Sequence, residues 1–205
     1  AKRIHKMKTY TNLMKGGYRS EIEATNFQRP RTPGCGPTML NVSHANLGPR
    51  ELFGLSVKLP ETTRLTHLVA TGNNVTDATV RALVAGLRVA NIVTHVDLSN
   101  NKISTRGGID IADGLLRNGD RPVKRRERPG FRMDDYRCKL VYLNLAGNKR
   151  IGCEGVAAIA GYLIPVGALH CTLEELNLAR VGMGDAGAIA VGRGLEQNQS
   201  LLRLH

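Results

Sequence analysis

The chain has 205 residues, of which 41% are hydrophobic and 4% aromatic, and its formal net charge is +12. This length and apolar content suffice to bury the core of one or two domains, which aliphatic side chains must fill because aromatic ones are scarce. No apolar run approaches the roughly 18 to 20 residues that span a bilayer, so we expect no membrane partner. The four cysteines form no Cys-x-x-Cys pair, which argues against a disulfide framework or a zinc knuckle and favours reduced thiols in the cytoplasm: Cys35, Cys138, Cys153 and Cys171.

The first segment, residues 1–36, contains eight Lys or Arg and two acidic residues, a net charge of +6. We interpret it as a basic, extended N-terminal arm, separate from a folded body at 37–205. Its charged and aromatic side chains are candidates for contact with an acidic partner surface: Lys2, Arg3, Lys6, Lys8, Tyr10, Lys15 and Arg19.

The body contains an internal repeat of 28 residues. Segments beginning at Leu65, Val93, Leu140 and Leu173 share the pattern apolar-x-x-apolar, with central residues Leu68, Val96, Leu143 and Leu176. Leu40 and Leu204 extend the register, which is interrupted by 19 extra residues before Leu143 and five before Leu176. An asparagine follows three of these segments, and we expect its amide to bond the backbone of neighbouring turns: Asn73, Asn101 and Asn148, with Ala45 and Val181 at the equivalent positions of two other repeats.

Between these segments the apolar spacing becomes helical. Examples are Val80, Leu83, Val84 and Leu87, then Ala112, Leu115 and Leu116, then Val156, Ile159, Ala160 and Leu163. Asp77 and Asp185 are predicted helix N-caps, and Gly107, Gly155 and Gly187 are predicted turn residues. A unit of one strand and one helix buries its apolar face only by stacking. We therefore predict an α/β solenoid, a horseshoe with parallel strands on the concave face and helices on the convex face.

The repeated Leu-x-x-Leu-x-Leu-x-x-Asn pattern and the 28-residue period resemble the ribonuclease-inhibitor-like subclass of leucine-rich repeats. The resemblance covers about residues 37–116 and 140–205. Similar arrays occur in the Ran GTPase-activating protein, in nucleotide-binding immune receptors, and in cytoskeletal and ciliary proteins. The resemblance implies a module for protein–protein interaction rather than an enzyme, and leaves the partner open because this scaffold serves many.

A second basic segment interrupts the repeats at about 117–139, with nine Lys or Arg and four acidic residues. The rest of the chain is almost neutral. Flexible cationic loops gain affinity for polyanions through counterion release, and aromatic residues among the charges can stack or anchor. We predict contact with an acidic surface here, against the alternative of a solubilising loop, through Arg121, Lys124, Arg125, Arg126, Arg128, Phe131 and Arg132.

Motifs that suggest chemistry are explained by the repeat. A Gly-x-Gly-x-x-Gly string at 182–187 follows a predicted strand, but Gly187 keeps the register of Gly107, so we expect no dinucleotide cofactor. His67 and His95 occupy equivalent positions in adjacent repeats, about 4.8 Å apart at strand spacing, without a third metal ligand beside them. No catalytic set of Ser, Cys, His and Asp can be argued. We predict no catalytic, cofactor or metal site.

The outward positions of the predicted sheet are mostly small and polar, which also fits an unused, solvated surface. Candidates for contact with a partner on this concave face are His67, His95, Asp97, Tyr142, Asn144 and Glu175.

Our leading hypothesis is a non-catalytic scaffold subunit of a large assembly, docked on an acidic surface such as tubulin through its basic segments. The resemblance to ciliary repeat proteins makes a cytoskeletal or axonemal, microtubule-associated role in the cytoplasm or cilium the first expectation. A ribosome-like ribonucleoprotein subunit that binds RNA, mitochondrial or cytosolic, is the alternative, and a GTPase-activating regulator is the third. Because the last repeat stops at His205 within a predicted strand, we also expect the sequence to be truncated at its C-terminus.

Overall fold

The computed structural model describes residues 38–59, 64–90, 92–116, 139–164 and 172–205. The basic arm at 1–36 and the basic insertion, except Lys139, lie outside these residues. So do the predicted contact residues from Lys2 to Arg19 and from Arg121 to Arg132, together with Cys35, Cys138 and Cys171. Cys153 lies within the described residues and is an exposed, free thiol.

Short strands and helices alternate along the chain. The strands are β1 (Met39–Asn41), β2 (His67–Val69), β3 (His95–Asp97), β4 (Tyr142–Asn144), β5 (Glu175–Asn177) and β6 (Arg203–Leu204). The helices are α1 (Pro49–Lys58), α2 (Asp77–Ala90), α3 (Thr105–Ile111), α4 (Gly152–Gly161) and α5 (Asp185–Glu196), and a π-helical segment (Ala112–Leu116) continues α3. No helix among them is long and apolar enough to cross a membrane.

The six strands form one open parallel sheet in the order β1 to β6. Leu40, Leu68, Val96, Leu143 and Leu176 are register partners from each strand to the next, and Leu204 continues the row. The 28-residue register is therefore confirmed, including its continuation across both insertions, and so is the α/β solenoid.

Aliphatic side chains fill the space between the sheet and the helices. The central strand residues from Leu40 to Leu176 are 3% exposed or less, and the predicted helical positions Val80, Leu83, Ile159 and Leu163 are 1% exposed or less. All of them belong to one continuous core. Each repeat thus buries its apolar face against its neighbours, as expected for a solenoid.

Asparagines at the strand ends connect neighbouring turns, as predicted. Asn148 is fully buried; its Oδ1 accepts hydrogen bonds from the backbone N–H groups of Asn101 and Ile103, both at 3.2 Å, and its Nδ2 donates to the carbonyl oxygens of Leu98 and Leu145. Asn73 and Asn101 bond the turn before their own in the same way. We call Asn73, Asn101 and Asn148 the asparagine column. Buried backbone groups need such partners, which is why the amide recurs.

The two aspartates predicted as helix N-caps do not cap their helices. Asp77 is the first residue of α2, and its carboxylate accepts hydrogen bonds from the backbone N–H of Ser104 at 2.8 Å and from its hydroxyl at 2.5 Å. Asp185 is likewise the first residue of α5, whose N-cap is Gly184. The prediction was wrong because it considered only the helix to which each aspartate belongs, whereas Asp77 bonds the next repeat.

The predicted turn glycines Gly107, Gly155 and Gly187 lie instead within the first turns of α3, α4 and α5, where all three are buried. A Cβ on Gly107 would lie 2.5 Å from Oδ1 of Asp77 and 2.6 Å from Cγ2 of Ile103. Close approach between repeats, rather than turn conformation, therefore explains glycine at this position.

At another equivalent position, four residues after the central strand residue of each repeat, the backbone is left-handed. Its φ angles are 52° at His44, 64° at Gly72, 53° at Asn100, 77° at Gly147 and 57° at Arg180. Side chains and glycines alternate along this row. A Cβ at Gly72 would clash with the His44 ring, and one at Gly147 would clash with the Asn100 amide, so the side chain of one turn covers the glycine of the next.

Candidate functional site

Three aromatic rings are stacked across β2, β3 and β4, on the side of the sheet that faces away from the helices. The ring centroids of His67 and His95 are 4.0 Å apart with an interplanar angle of 17°, and those of His95 and Tyr142 are 5.8 Å apart with 21°. The three residues are register partners. We call them the ring column, and the outward side of the sheet the sheet face.

A threonine directly before each histidine orients its ring. Nδ1 of His67 lies 2.8 Å from the Thr66 hydroxyl, which itself donates to the Thr38 carbonyl oxygen at 3.0 Å. His95 repeats this arrangement with Thr94 at 2.8 Å, and the Thr94 hydroxyl donates to the Thr66 carbonyl oxygen at 3.3 Å. A hydroxyl has one proton, so each neutral imidazole must donate from Nδ1 and retains its lone pair on Nε2.

The surroundings favour the neutral form of His95. Burial lowers its pKa, the neighbouring His67 ring lowers it further, and the carboxylates of Glu175 and Glu174 oppose the shift. The pKa of Tyr142 is raised, first by burial and then by the negative charge of Asp97. Both shifts favour the uncharged forms of His95 and Tyr142 near neutral pH.

The predicted contact residues Asp97 and Asn144 form a hydrogen-bond network beside the ring column. Oδ1 of Asp97 accepts from the backbone N–H of Ser99 at 2.9 Å, from its hydroxyl at 2.7 Å and from the Thr71 hydroxyl at 2.9 Å. Oδ2 accepts from Nδ2 of Asn144 at 3.0 Å. Ser99, which takes part in two of these contacts, is buried. Asp97 and Asn144 thus fix the local structure of the sheet as well as contributing polar atoms to its face.

Glu175 follows Tyr142 in the same row and is paired with the last strand. Its carboxylate lies 2.6 Å from the Arg203 guanidinium and 3.7 Å from Nε2 of His205. Arg203 is 70% exposed, so solvent screens this ion pair and it contributes little to stability.

The sheet face has the opposite charge to the chain as a whole. Its outward strand residues include two carboxylates, at Asp97 and Glu175, and one guanidinium, at Arg203, a net charge of −1, and Glu174 borders the face directly before β5. The whole chain has +12. The structure therefore brings the six predicted sheet-face residues onto one surface, with stacked rings beside acidic side chains.

The described residues contain no group of three or more His, Cys, Asp or Glu side chains that could hold a metal ion. That the whole chain lacks a metal, cofactor or catalytic site stays a prediction.

Sequence reasoning placed His67 beside His95 but missed that the stack extends to Tyr142. It also missed the role of the threonines, although a signal was present. The dipeptide Thr-His occurs at 66–67 and again at 94–95, one period later.

Comparisons with known proteins agree with this architecture. A family model described as a leucine-rich repeat matches residues 91–112, 137–160 and 170–192. No curated protein matches the sequence significantly. Solved structures do match, among them actin-binding site 2 of leiomodin-1, with a TM-score of 0.54 and 19% identity over 78% of this chain and 80% of that chain. An identity this low shows a shared fold, and the ribonuclease-inhibitor-like subclass stays a prediction. The described residues therefore have the fold of a leucine-rich-repeat solenoid, an open α/β array of stacked repeats, and the family model matches three of these repeats.

Proposed function

We propose that the protein is a non-catalytic scaffold that binds other proteins, and that it docks on an acidic surface of a large assembly through its two basic segments. The general role is that of leucine-rich-repeat solenoids, whose extended surfaces bind partners. The specific role rests on one topological observation, which concerns where the two basic segments join the sheet.

Both basic segments join the solenoid at the same edge. The arm precedes Thr38 and β1, and the insertion precedes Lys139 and β4. Because the strands are parallel and adjacent in order, the residues before them share one edge of the sheet. Three strand intervals separate the two attachment points, roughly 14 Å. We call this side the amino edge. One acidic surface can contact both segments at once, which multiplies their separate affinities.

Described residues add positive charge at the amino edge. Arg64, before β2, and Lys139, before β4, are exposed, and Lys58 lies in the last turn of α1, whereas Glu174, before β5, adds one exposed carboxylate at this edge. Association with an acidic partner gains speed and specificity from a cluster of this kind.

We propose a cytoskeletal polymer as the partner, with axonemal microtubules first because of the resemblance to ciliary repeat proteins. One solved structure with a similar fold is an actin-binding site of leiomodin-1, which makes actin filaments the second polymer to test. RNA is the competing polyanion, since the same cations would attract its phosphates.

Co-sedimentation of the full chain with microtubules, actin filaments and an RNA polymer, over a range of salt concentrations, tests this function. The arm variant Lys2→Gln/Lys6→Gln/Lys8→Gln and the insertion variant Lys124→Gln/Arg125→Gln/Arg126→Gln should each weaken microtubule binding about tenfold, at roughly 0.5 kcal/mol per exposed charge. Lys102 and Lys149 are exposed beyond the opposite ends of β3 and β4, so Lys102→Gln/Lys149→Gln is the matched control and should change binding less than threefold.

Equal effects of the control and the amino-edge variants would refute docking through that edge. RNA binding that is tighter than binding to both polymers, and weakened by the same variants, would replace the cytoskeletal function with the ribonucleoprotein one.

A further inference from the structure

We propose that the ring column and the carboxylates beside it form a second binding face, which takes an Arg- or Lys-rich extended segment of a partner protein. This face differs from the amino edge in position and in charge, and its partner has the opposite chemistry. The inference does not depend on the proposed function.

The ring column exposes hydrogen-bond acceptors at its outer edge. Side chains stand roughly perpendicular to a sheet, so stacked rings present their edges, not their faces, to a partner. Nε2 is the ring nitrogen farther from the backbone. The threonine hydroxyls occupy Nδ1 of His67 and of His95, and within the described part of the chain Nε2 of either ring has no hydrogen-bond partner. Two lone pairs therefore face the same direction, one per repeat, next to the Tyr142 hydroxyl.

Acidic groups extend this row of acceptors. Glu175 follows Tyr142 in register, and Glu174 precedes it with an exposed side chain. Guanidinium and ammonium groups have donors only, five N–H bonds in arginine and three in lysine, and so complement a surface of acceptors and carboxylates. The net charge of −1 on this face, with the exposed Glu174 at its border, provides the electrostatic attraction within a chain of +12.

A nucleic acid fits this face less well than a basic peptide. Bases stack on the faces of aromatic rings, which neighbouring rings cover here, and the carboxylates repel phosphates. An extended peptide presents its side chains on one side about every 6.6 to 6.8 Å, so three of them can lie along the roughly 14 Å from β2 to β5.

Fluorescence anisotropy with the full chain tests this proposal. The probe is a fluorescein-labelled peptide of alternating Arg and Ser. Because the basic segments would themselves attract a Glu peptide, a peptide of alternating Gln and Ser is the uncharged reference, and we expect the Arg peptide to bind more tightly than the Gln peptide. Glu174→Gln should weaken binding about threefold to fivefold, in line with one exposed charge. Glu154→Gln removes the same charge from an exposed position on α4 and should change it less than twofold.

A second variant tests the contribution of the imidazole lone pair to peptide binding separately from that of ring packing. His95→Phe keeps a ring of similar shape between His67 and Tyr142 but removes Nε2, and should weaken peptide binding about tenfold, the lower end of what is expected for a lost hydrogen bond to a charged group. Chemical unfolding of each variant verifies that the fold persists. The same variant should leave microtubule sedimentation unchanged, which separates failure of this face from failure of the amino edge.

Three results would overturn the proposal. The first is equal binding of the Arg peptide and the Gln peptide. The second is tighter peptide binding by the arm variant than by the unaltered chain, since residues 1–36 would then be the occupant of the face. The third is binding of a labelled oligouridine that His95→Phe weakens more than it weakens peptide binding, which would indicate RNA instead.

Discussion

Two columns of side chains follow the same 28-residue period through the solenoid, yet they differ in what they bond. The asparagine column directs its amide groups into the backbone of neighbouring turns, and Asn148 is fully buried. The ring column is half-buried, and its histidines use one nitrogen each within the fold. A periodic residue is therefore structural or available for binding according to where its polar atoms bond, and periodicity alone does not distinguish the two.

Asn148→Ala should produce the largest loss of stability, because it deprives two backbone N–H groups and two carbonyl oxygens of a partner in a buried site. We expect the free energy of unfolding to fall by on the order of 3 kcal/mol, and the melting temperature by roughly 10 °C. Urea unfolding followed by circular dichroism measures the first, and a thermal scan the second.

Asn74→Ala is the matched control for this substitution. The Asn74 amide is half-buried and donates to Oδ1 of Asn46 at 3.4 Å, so its loss should cost less than about 0.5 kcal/mol. Similar losses for both variants would contradict the structural role of the asparagine column.

Gly147→Ala should have the next largest effect. The residue has φ 77°, and a Cβ there would clash with the Asn100 side chain. Left-handed backbone costs about 1 kcal/mol for alanine, and the clash adds a comparable amount, so we expect a loss of about 2 kcal/mol. Adding Asn100→Gly removes the clash and should restore about half of that loss in the same unfolding assay. An equal cost in the single and double variants would show that the clash contributes nothing.

The pH dependence of stability distinguishes the ring column from the asparagine column, which does not titrate. Because the pKa of folded His95 is lowered, the unfolded chain binds a proton first as the pH falls below about 6.5, and stability should decrease there. The raised pKa of Tyr142 has the opposite sign, since the folded chain retains that proton longer and stability should decrease above about pH 10. The groups around His95 are His67 on β2, Tyr142 on β4, and Glu174 and Glu175 at β5.

Urea unfolding between pH 5 and 8, with the unaltered chain and with His95→Phe, measures this contribution. The acid-side slope should be smaller in the variant than in the unaltered chain. An identical slope in both proteins would exclude His95 as its source.

Arg81→Ala should have the smallest effect, although Arg81 also links neighbouring repeats. Its guanidinium lies 3.2 Å from the Asp110 carboxylate but is 64% exposed, and Arg106 contacts the same carboxylate at 3.4 Å. We expect a loss below about 0.5 kcal/mol in the unfolding assay. A loss above about 1 kcal/mol would show that this pair contributes more than a screened surface interaction.

The sequence predicts the strand register and the asparagine column well, because both depend on spacing that the chain repeats. It predicts less about contacts between repeats. Asp77 has the residue type of an N-cap, and its bond to Ser104 depends on how closely two helices approach. Predicting the ring column from the sequence would also have required knowledge of contacts between repeats. Ring stacking and the direction of the Thr66 and Thr94 hydrogen bonds both follow from side-chain geometry.

Side chains and glycines alternate along the row of left-handed residues at 44, 72, 100, 147 and 180, and this alternation constrains which repeats can be added to the solenoid. A side chain at His44 or Asn100 demands glycine one repeat later, whereas nothing beyond Gly72 or Gly147 is forced to be small. Duplicating a single repeat that carries a side chain in this row would set two side chains against each other, but duplicating two adjacent repeats preserves the order. Repeats inserted into this protein, by gene duplication or by an engineer, should therefore be tolerated best as a pair of adjacent repeats or as a single repeat with glycine in this row.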